Sequence, residues 1–171
     1  GVTGTLDLAT WIEAGGVWNP MFVLGLTFVL VGMGFKVAVV PFHLWAPDAY
    51  QCAPTPVAGW IASGSKIASV FFLVRLVDAV PGNPQTVALA LTPLAVLAIL
   101  SMLIGNLGAL RQSSLKRLLA YASIANAGYL LIGLLALSPD GYAAALFYVV
   151  VYALANVGAF GVIGLLLDRA E

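Results

Sequence analysis

Residues 21–50, MFVLGLTFVLVGMGFKVAVVPFHLWAPDAY, form the stretch that decides the fold of this chain. It is apolar apart from a few positions, of which Pro41 is the most disruptive. About 20 residues are enough for a helix to cross the hydrocarbon core of a bilayer, so the stretch is too long for one straight helix. Proline lacks an N–H and clashes with the carbonyl four residues before it. We therefore predict a discontinuous helix, broken near Pro41, with parts over roughly 21–39 and 41–50.

The composition of the whole chain supports a membrane location. Of its 171 residues, 62% are hydrophobic and only 8% are charged, whereas a soluble domain has about 25% charged residues to cover its surface. Seven basic residues balance seven acidic ones, which argues against nucleic acid or an acidic soluble protein as a partner. The single cysteine, Cys52, excludes an internal disulfide framework and a multi-cysteine metal site. The predicted fold class is all-α, a polytopic bundle of transmembrane helices.

Four further apolar runs follow the first one, separated by turns rich in proline, glycine or charge. Residues 1–20 carry two acids and two tryptophans and are predicted to be an extracytoplasmic or interfacial segment. Because the chain opens with Gly1 rather than methionine and stops just after an apolar run, we expect a piece of a longer or processed protein. The membrane bundle is predicted over 21–171, with five spans at about 21–50 (broken), 57–77, 85–108, 116–137 and 142–167.

One loop orients these spans. Arg111, Lys116 and Arg117 are the only cluster of positive charge, and cytoplasmic loops of membrane proteins carry an excess of Lys and Arg. We expect the loop 109–117 and the C-terminus to be cytoplasmic and the N-terminus to be extracytoplasmic. Arg75, close to an outer end, fits this scheme if it pairs with a neighbouring acid or extends outward.

Lys36 and Lys66 are the residues that point to chemistry. Lys36 lies about 15 residues into the first span and Lys66 about 10 into the second, so both amines are expected roughly 15–22 Å from opposite faces of the bilayer core, near its middle. A lysine at that depth costs at least roughly 2.5–3.5 kcal/mol on insertion scales. We therefore interpret both as proton-transfer residues in a functional or water-lined position. The alternative is a tolerated lysine that reaches toward the headgroups.

A buried lysine can serve as a switchable proton site. Burial disfavours the ammonium form and a nearby carboxylate favours it, so a carboxylate that moves could load and unload the amine. No acid of this chain is predicted at such a depth, because the aspartates of the spans all fall near span ends. The partner carboxylate is therefore expected to come from elsewhere.

His43 lies two residues after Pro41, where a helix break frees carbonyls and admits water. A possible proton relay and a hydrogen-bonded core histidine are both open interpretations. No metal site is expected from one histidine and one cysteine.

Small and hydroxylic residues near Lys66, and two stripes of tyrosine and asparagine, also have two interpretations. They can serve close helix packing and interhelical hydrogen bonds, or they can line a path for water and protons. These residues are Ser63, Gly64, Ser65 and Ser69, then Tyr121, Asn126 and Tyr129, and finally Tyr148, Tyr152 and Asn156.

Two segments resemble a known family. GFKVAVVPFHLWAPDAYQCAPTPVAGWIASGSKIASVFFLVRL (34–76) and IGNLGALRQSSLKRLLAYASIANAGYLLIGLLAL (104–137) resemble the antiporter-like membrane subunit N of NADH-quinone oxidoreductase, respiratory complex I. The resemblance implies helices seven to eleven of a fourteen-helix fold built from two inverted repeats. It matches Lys36 to the lysine of the broken helix and Lys66 to that of the next helix. Asn126 departs from the family, where many members have a histidine.

The resemblance implies a proton-translocating subunit without an active site of its own, in which NADH oxidation by quinone drives protons through Lys36 and Lys66. NAD, FMN, iron–sulfur clusters and quinone would be held by partner subunits, and this chain would hold no cofactor. Its partners would be other membrane-arm subunits, the lipid bilayer, and protons with water, but no nucleic acid. If the source is bacterial, the location is the inner (plasma) membrane, as a multi-pass protein. Two alternatives are a subunit of a multi-subunit cation/proton antiporter or membrane-bound hydrogenase, and a structural membrane subunit.

Overall fold

The computed structural model describes residues 20–78 and 84–168, and every regular element in these ranges is a helix. The predicted segment 1–20 lies outside the described residues except for Pro20. In chain order the helices are α1 (Pro20–Val37), α2 (Trp45–Cys52), α3 (Thr55–Asp78), α4 (Pro84–Ala109), α5 (Leu115–Leu135) and α6 (Pro139–Asp168).

Four of these helices are long and apolar enough to cross a membrane. Large apolar side chains cover their outer faces, such as Trp60 at 72% exposed and Phe147 at 73%, as expected of surfaces that face lipid. α1, with 18 residues, is shorter than these four helices. Those four are Thr55–Asp78, Leu91–Ala109, Leu115–Leu135 and Pro139–Leu166.

The first helix ends earlier than predicted. It stops at Val37, and turns occupy residues 38–44 before α2 begins at Trp45, so the expected bounds 21–39 and 41–50 were wrong. Val37 is the residue whose carbonyl would meet the ring of Pro41 in a continuous helix, so the helix ends where that clash would begin. Ala38 then takes a left-handed backbone, with φ of 63°, and the Val40 N–H donates to Ser101 Oγ at 2.9 Å.

The turn between the last two helices also differs from expectation. The fourth span was predicted to reach residue 137 and the fifth to begin at 142, but α5 ends at Leu135 and α6 begins at Pro139. Proline is favoured at the first position of a helix, and the Gly141 N–H donates to Ser138 Oγ at 3.1 Å, as in an N-cap. Leu137, with φ of 47°, completes the reversal.

Small residues bring neighbouring helices close together. A Cβ atom at Gly105 of α4 would lie 2.5 Å from the backbone nitrogen of Ala125 on α5. A Cβ at Gly128 of α5 would likewise lie 2.7 Å from the carbonyl oxygen of Ala98. Close approach through glycine and alanine is how membrane helices gain contact without a hydrophobic driving force. Helices α4 and α5 therefore pack as a tight pair.

Candidate functional site: a buried lysine among neutral oxygens

Lys66 is the centre of the site. It is the twelfth of 24 residues in α3 and is only 2% exposed. Its Nζ donates to the carbonyl oxygen of Ser123 at 2.6 Å and to Ser123 Oγ at 2.5 Å. The aromatic ring of Tyr152 lies with its centroid 5.3 Å from the same nitrogen, within the range of a cation–π contact. Two neutral oxygens and a ring face therefore stabilise the amine.

Ser123 reaches Lys66 because α5 turns its most buried face toward α2 and α3. Ala120, Ile124 and Ala127 on that face are fully buried. The hydroxyl of Tyr50, on α2, lies 3.4 Å from Ser123 Oγ, and either group could be the donor. Tyr50 is itself 1% exposed. Three helices thus contribute one polar side chain each to a cluster enclosed by apolar residues.

A groove between α5 and α6 adjoins this cluster. Its volume is about 360 Å³, and its polar walls come from both helices. The Tyr152 hydroxyl is buried there and has no hydrogen-bond partner among residues 20–78 and 84–168. The side chains of Tyr148 and Asn126 hydrogen-bond to each other across the groove. The polar residues that line it are Ser123, Asn126, Tyr148, Tyr152 and Asn156.

The serines beside Lys66 in sequence do not bind it. Ser63 Oγ donates to the carbonyl of Gly59 at 2.7 Å, and Ser69 Oγ donates to that of Ser65 at 2.8 Å. Both hydroxyls are therefore satisfied by their own helix, one turn earlier, as is common for serine inside a helix. These contacts favour the packing interpretation for Ser63 and Ser69.

The tyrosine and asparagine stripes mainly join helices. Asn106 Nδ2 donates to the Tyr129 hydroxyl at 3.0 Å, between α4 and α5, as the Tyr148 and Asn126 pair does between α6 and α5. Asn156 instead donates to the carbonyl of Tyr152 on its own helix at 2.9 Å. Interhelical hydrogen bonding is therefore present in the stripes.

Lys36 is placed differently from Lys66. It is the penultimate residue of α1, and its side chain is exposed. Within the described ranges it has no hydrogen-bond or ion-pair partner, and no contact joins it to Lys66. The turn that carries it packs inward through Val37, which shares a core cluster with Leu73 and Leu76 of α3. The proton-transfer role predicted for Lys36 remains a prediction.

His43 lies in the turns between α1 and α2. It is 8% exposed, its carbonyl accepts from the Ala46 N–H at 3.0 Å, and its Nδ1 atom has no hydrogen-bond partner in the part of the chain that the structure describes. No contact brings it to Lys66. Its possible role as a relay remains a prediction.

The acids with described side chains lie away from the lysine cluster. Asp78 and Asp140 are exposed at helix ends. Asp48 forms an ion pair with Arg117, with 2.6 Å between Oδ1 and Nη1. Arg117 also donates to Gln51, and Lys116 donates to the carbonyl of Ala53 at 3.1 Å. These contacts place the α2–α3 connection and the basic loop at the same end of the bundle.

The comparisons with known proteins agree with this architecture. A family model described as NADH:quinone oxidoreductase/Mrp antiporter, TM matches residues 1–171. The chain belongs to this family.

Relatives of this antiporter family include subunits N of NADH-quinone oxidoreductase. Subunit N 2 from Acidobacterium capsulatum is 49% identical, with 97% of this chain and 35% of that protein covered. Subunit N from Salinibacter ruber is 48% identical over 97% of this chain and 33% of that protein. The chain therefore spans about a third of the length of these relatives.

Solved structures of antiporter-family complexes share the fold. Respiratory complex I from Thermus thermophilus with bound aureothin matches with a TM-score of 0.77 and 40% identity, over 95% of this chain and 34% of that one. The membrane-bound sulfane sulfur reductase, an archaeal respiratory membrane complex, matches with a TM-score of 0.82 and 30% identity, over 95% of this chain and 34% of that one. The Mrp complex from Dietzia sp. DQ12-45-1b matches with a TM-score of 0.81 and 25% identity, over 95% of this chain and 30% of that one.

Two residues of the site, Ser123 and Tyr50, were not predicted from the sequence. They lie 57 and 16 positions from Lys66 along the chain. Both fall inside the two segments that carry the resemblance, which is the signal that could have drawn attention to them. A second signal was the hydroxyl of Ser123 within an otherwise apolar helix. Residue spacing, however, does not indicate which neighbouring helix that hydroxyl faces.

Proposed function

We propose that this chain is part of a proton-translocating membrane-arm subunit of NADH-quinone oxidoreductase, and that Lys66 carries the proton through its middle. The buried amine of Lys66 between the two Ser123 oxygens is the observation that carries the proposal. Intramembrane lysines are rare and are placed at functional sites. The relatives that are 43–49% identical, all named NADH-quinone oxidoreductase subunit N, support this activity over others.

The neutral surroundings of Lys66 suit a site that must release its proton. A carboxylate in contact would hold the ammonium form strongly, whereas carbonyl and hydroxyl oxygens stabilise it without a full opposing charge. An ammonium has three N–H donors, and two of them are directed to Ser123. The third is not bonded to a described residue, so it is the position from which a proton can exchange with water.

We further propose that α1 and α2 together make a fifth, discontinuous crossing. α1 alone is about 27 Å long at 1.5 Å per residue, slightly short of the ~30 Å hydrocarbon core. Ala38, Val39, Val40 and His43 of the turns 38–44 are buried against packed helices, and irregular backbone that is buried in protein is tolerated at membrane depth. In this arrangement Lys36 lies at the interruption, and it serves as a second proton-carrying group that faces other parts of the protein.

The location and orientation form part of the same proposal. The subunit lies in the inner membrane of a bacterial cell, with the basic loop 109–117 in the cytoplasm, as the excess of positive charge there predicts. Its partners are the other membrane-arm subunits of the complex, and NAD, FMN, iron–sulfur clusters and quinone are held by partner subunits.

The test uses Lys66→Met in the full-length protein, assembled in its complex and reconstituted into vesicles. Proton transfer through this chain is expected to slow by at least about tenfold, since a positioned proton-transfer group contributes on the order of 10²–10⁴-fold to rate, and the protons moved per NADH oxidised are expected to fall. Arg75→Gln is the matched control, because it removes an exposed positive charge from the same helix. An unchanged ratio in Lys66→Met would reject the role of the lysine and favour the structural alternative.

A second candidate function is cation/proton antiport, which is supported by the similarity to the Mrp complex at a TM-score of 0.81. Lower identity, 25% against 40% for the complex I structure, makes it the weaker candidate. Vesicles that contain the full-length protein and its partner subunits would separate the two. Antiport predicts proton movement on a sodium or potassium gradient without NADH, and the first proposal predicts movement only with NADH and quinone.

A further inference from the structure

We propose that Ser123 is a positioning residue for proton transfer at Lys66, and that Tyr50 directs the Ser123 hydroxyl. This inference rests on the proposed function and adds two residues to it. Ser123 binds the amine with both its carbonyl and its hydroxyl oxygen, at 2.6 and 2.5 Å. A pair of acceptors on one residue fixes both the place and the direction of the Lys66 side chain.

The hydroxyl suits both protonation states of the lysine. A serine hydroxyl has one hydrogen to donate and two lone pairs to accept with. When Lys66 is an ammonium, Ser123 Oγ accepts from it, and the serine hydrogen is free to turn toward the Tyr50 oxygen at 3.4 Å. When Lys66 is a neutral amine, the same hydroxyl can rotate and donate to the nitrogen lone pair, while Tyr50 donates to Ser123. The lysine therefore keeps a hydrogen bond before and after it loses its proton.

Ser123 differs from the other buried serines of the bundle. Ser63, Ser69 and Ser101 each donate to the carbonyl four residues earlier in their own helix. Within the described ranges Ser123 makes no such bond, and its hydroxyl is directed to Lys66 and Tyr50 instead. A serine kept only for helix packing would have its hydrogen bonded to its own helix.

Tyr50 links this arrangement to the interrupted helix. It lies on α2, which begins directly after the turns 38–44. A shift of α2 would move the Tyr50 hydroxyl relative to Ser123 Oγ. The Ser123 hydroxyl could then donate its hydrogen bond to a different acceptor. The hydroxyl pair is thus a short physical connection between the interruption and the proton-carrying amine.

The experiment compares four variants of the full-length protein in its assembled, reconstituted complex. Ser123→Ala is expected to slow proton transfer at Lys66 about tenfold, the effect of losing a hydrogen bond to a charged group, and so to lower the protons moved per NADH. Ser123→Thr restores the hydroxyl and is expected to recover most of the ratio. Tyr50→Phe removes only a hydroxyl and is expected to give a smaller loss. Ser69→Ala is the matched control, since Ser69 is a buried serine on the helix of Lys66, and it is expected to match the wild type.

The pH profile of proton movement provides a readout that a packing defect would not change. Ser123→Ala removes an acceptor for one form of Lys66 and a donor for the other, so the profile is expected to change shape. Among the described residues, the titratable groups that face the amine are Tyr152 on α6 and, through Ser123, Tyr50 on α2, and both are kept in this variant. Ser123→Thr is expected to return the profile to that of the wild type.

The outcomes distinguish a failure of this inference from a failure of the proposed function on which it rests. A wild-type ratio in Ser123→Ala together with a loss in Lys66→Met overturns the role of Ser123 and leaves the function standing. Wild-type ratios in both overturn the function. An assembled Ser123→Thr complex that stays as defective as Ser123→Ala overturns the claim that the hydroxyl matters. If Ser123→Ala does not assemble, Ser123→Cys replaces it, because cysteine is a weaker donor of similar size. This variant is expected to lose part of the protons moved per NADH, and a wild-type ratio would overturn the inference.

Discussion

At the scale of single residues, and among the residues that the structure describes, Lys66 is stabilised by a few strong contacts rather than by an opposite charge. Placing a lysine near the bilayer centre costs at least about 2.5–3.5 kcal/mol. Hydrogen bonds to charged groups contribute about 1.5–3 kcal/mol each, and Ser123 supplies two. These magnitudes are comparable, so the charged form is tolerated without being strongly held. The proton-carrying role proposed for Lys66 requires that balance.

Ala38 gives a second prediction at this scale. It is fully buried and its φ is 63°, a left-handed backbone that disfavours side chains with a Cβ by about 1–3 kcal/mol. Ala38→Val is expected to lower the stability of the assembled complex by at least about 1–3 kcal/mol, because the added methyl groups overpack a buried site and a branched side chain fits this backbone poorly. Ala38→Gly relieves that strain but loses a buried methyl worth about 0.8 kcal/mol and adds a chain-entropy cost of about 0.5–1 kcal/mol, so a change in stability between roughly −1 and +2 kcal/mol is expected.

Thermal inactivation of the complex measures both Ala38 variants. Equal inactivation temperatures for Ala38→Val and the wild type would contradict the argument from backbone strain.

At the scale of elements, the closest helix pair depends on residues without side chains. A Cβ at Gly105 would lie 2.5 Å from a backbone atom of α5, and a backbone cannot move aside as a flexible side chain can. Gly105→Ala is expected to force α4 and α5 apart and to cost about 1–3 kcal/mol, as overpacking does. Gly158→Ala on α6 is the control, because nothing lies within 4 Å of the position of its Cβ.

The amount of assembled subunit in membranes, together with its thermal stability, tests this pair of variants. A Gly105→Ala protein as abundant and stable as Gly158→Ala would argue against the tight α4–α5 contact.

The helices themselves could largely be predicted from the sequence, whereas their ends beside the first interruption and beside the last turn could not. Long apolar runs identify spans because a helix satisfies its own backbone in lipid. The predicted end of the first helix was two residues late, because Pro41 acts on the carbonyl of Val37 rather than at its own position. The start of α6 was missed because Ser138 and Pro139 were interpreted as a turn, although the same residues cap and begin a helix.

The candidate site could be predicted in Lys66 and in Tyr152, which belongs to a polar stripe of the sequence, but not in Ser123 and Tyr50. Lys66 stands out in an apolar span, so composition alone is enough to find it. Its ligand Ser123 depends on how α5 rotates and slides against α3, which is set by packing over the whole bundle. The nearby Ser63 and Ser69 were equally plausible from sequence, and their hydroxyls bond to their own helix instead.

At the scale of the whole molecule, the polar contacts at one end give a test of orientation. Arg117 and Asp48 join the basic loop to α2, and the neighbouring Cys52 is exposed. In the proposed orientation Cys52 faces the cytoplasm. A membrane-impermeant maleimide is therefore expected to label it in inverted vesicles and not in right-side-out vesicles.

Cys52→Ser in the full-length protein is the control for this labelling, since other cysteines of the complex can react. Labelling of Cys52 from the outer face alone would reverse the proposed topology.

The position of Lys66 halfway along α3 also has an electrical consequence. If α3 crosses the bilayer from end to end, a proton that reaches the amine from either side traverses about half of the membrane voltage. One elementary charge moved through 100 mV corresponds to about 2.3 kcal/mol, so half of that drop changes the occupancy of the amine by about 1.2 kcal/mol, or about sevenfold. If Lys66 carries protons as proposed, an energised membrane would favour protonation of the amine from one face and release of the proton to the other. The membrane potential would then regulate how often this lysine is charged.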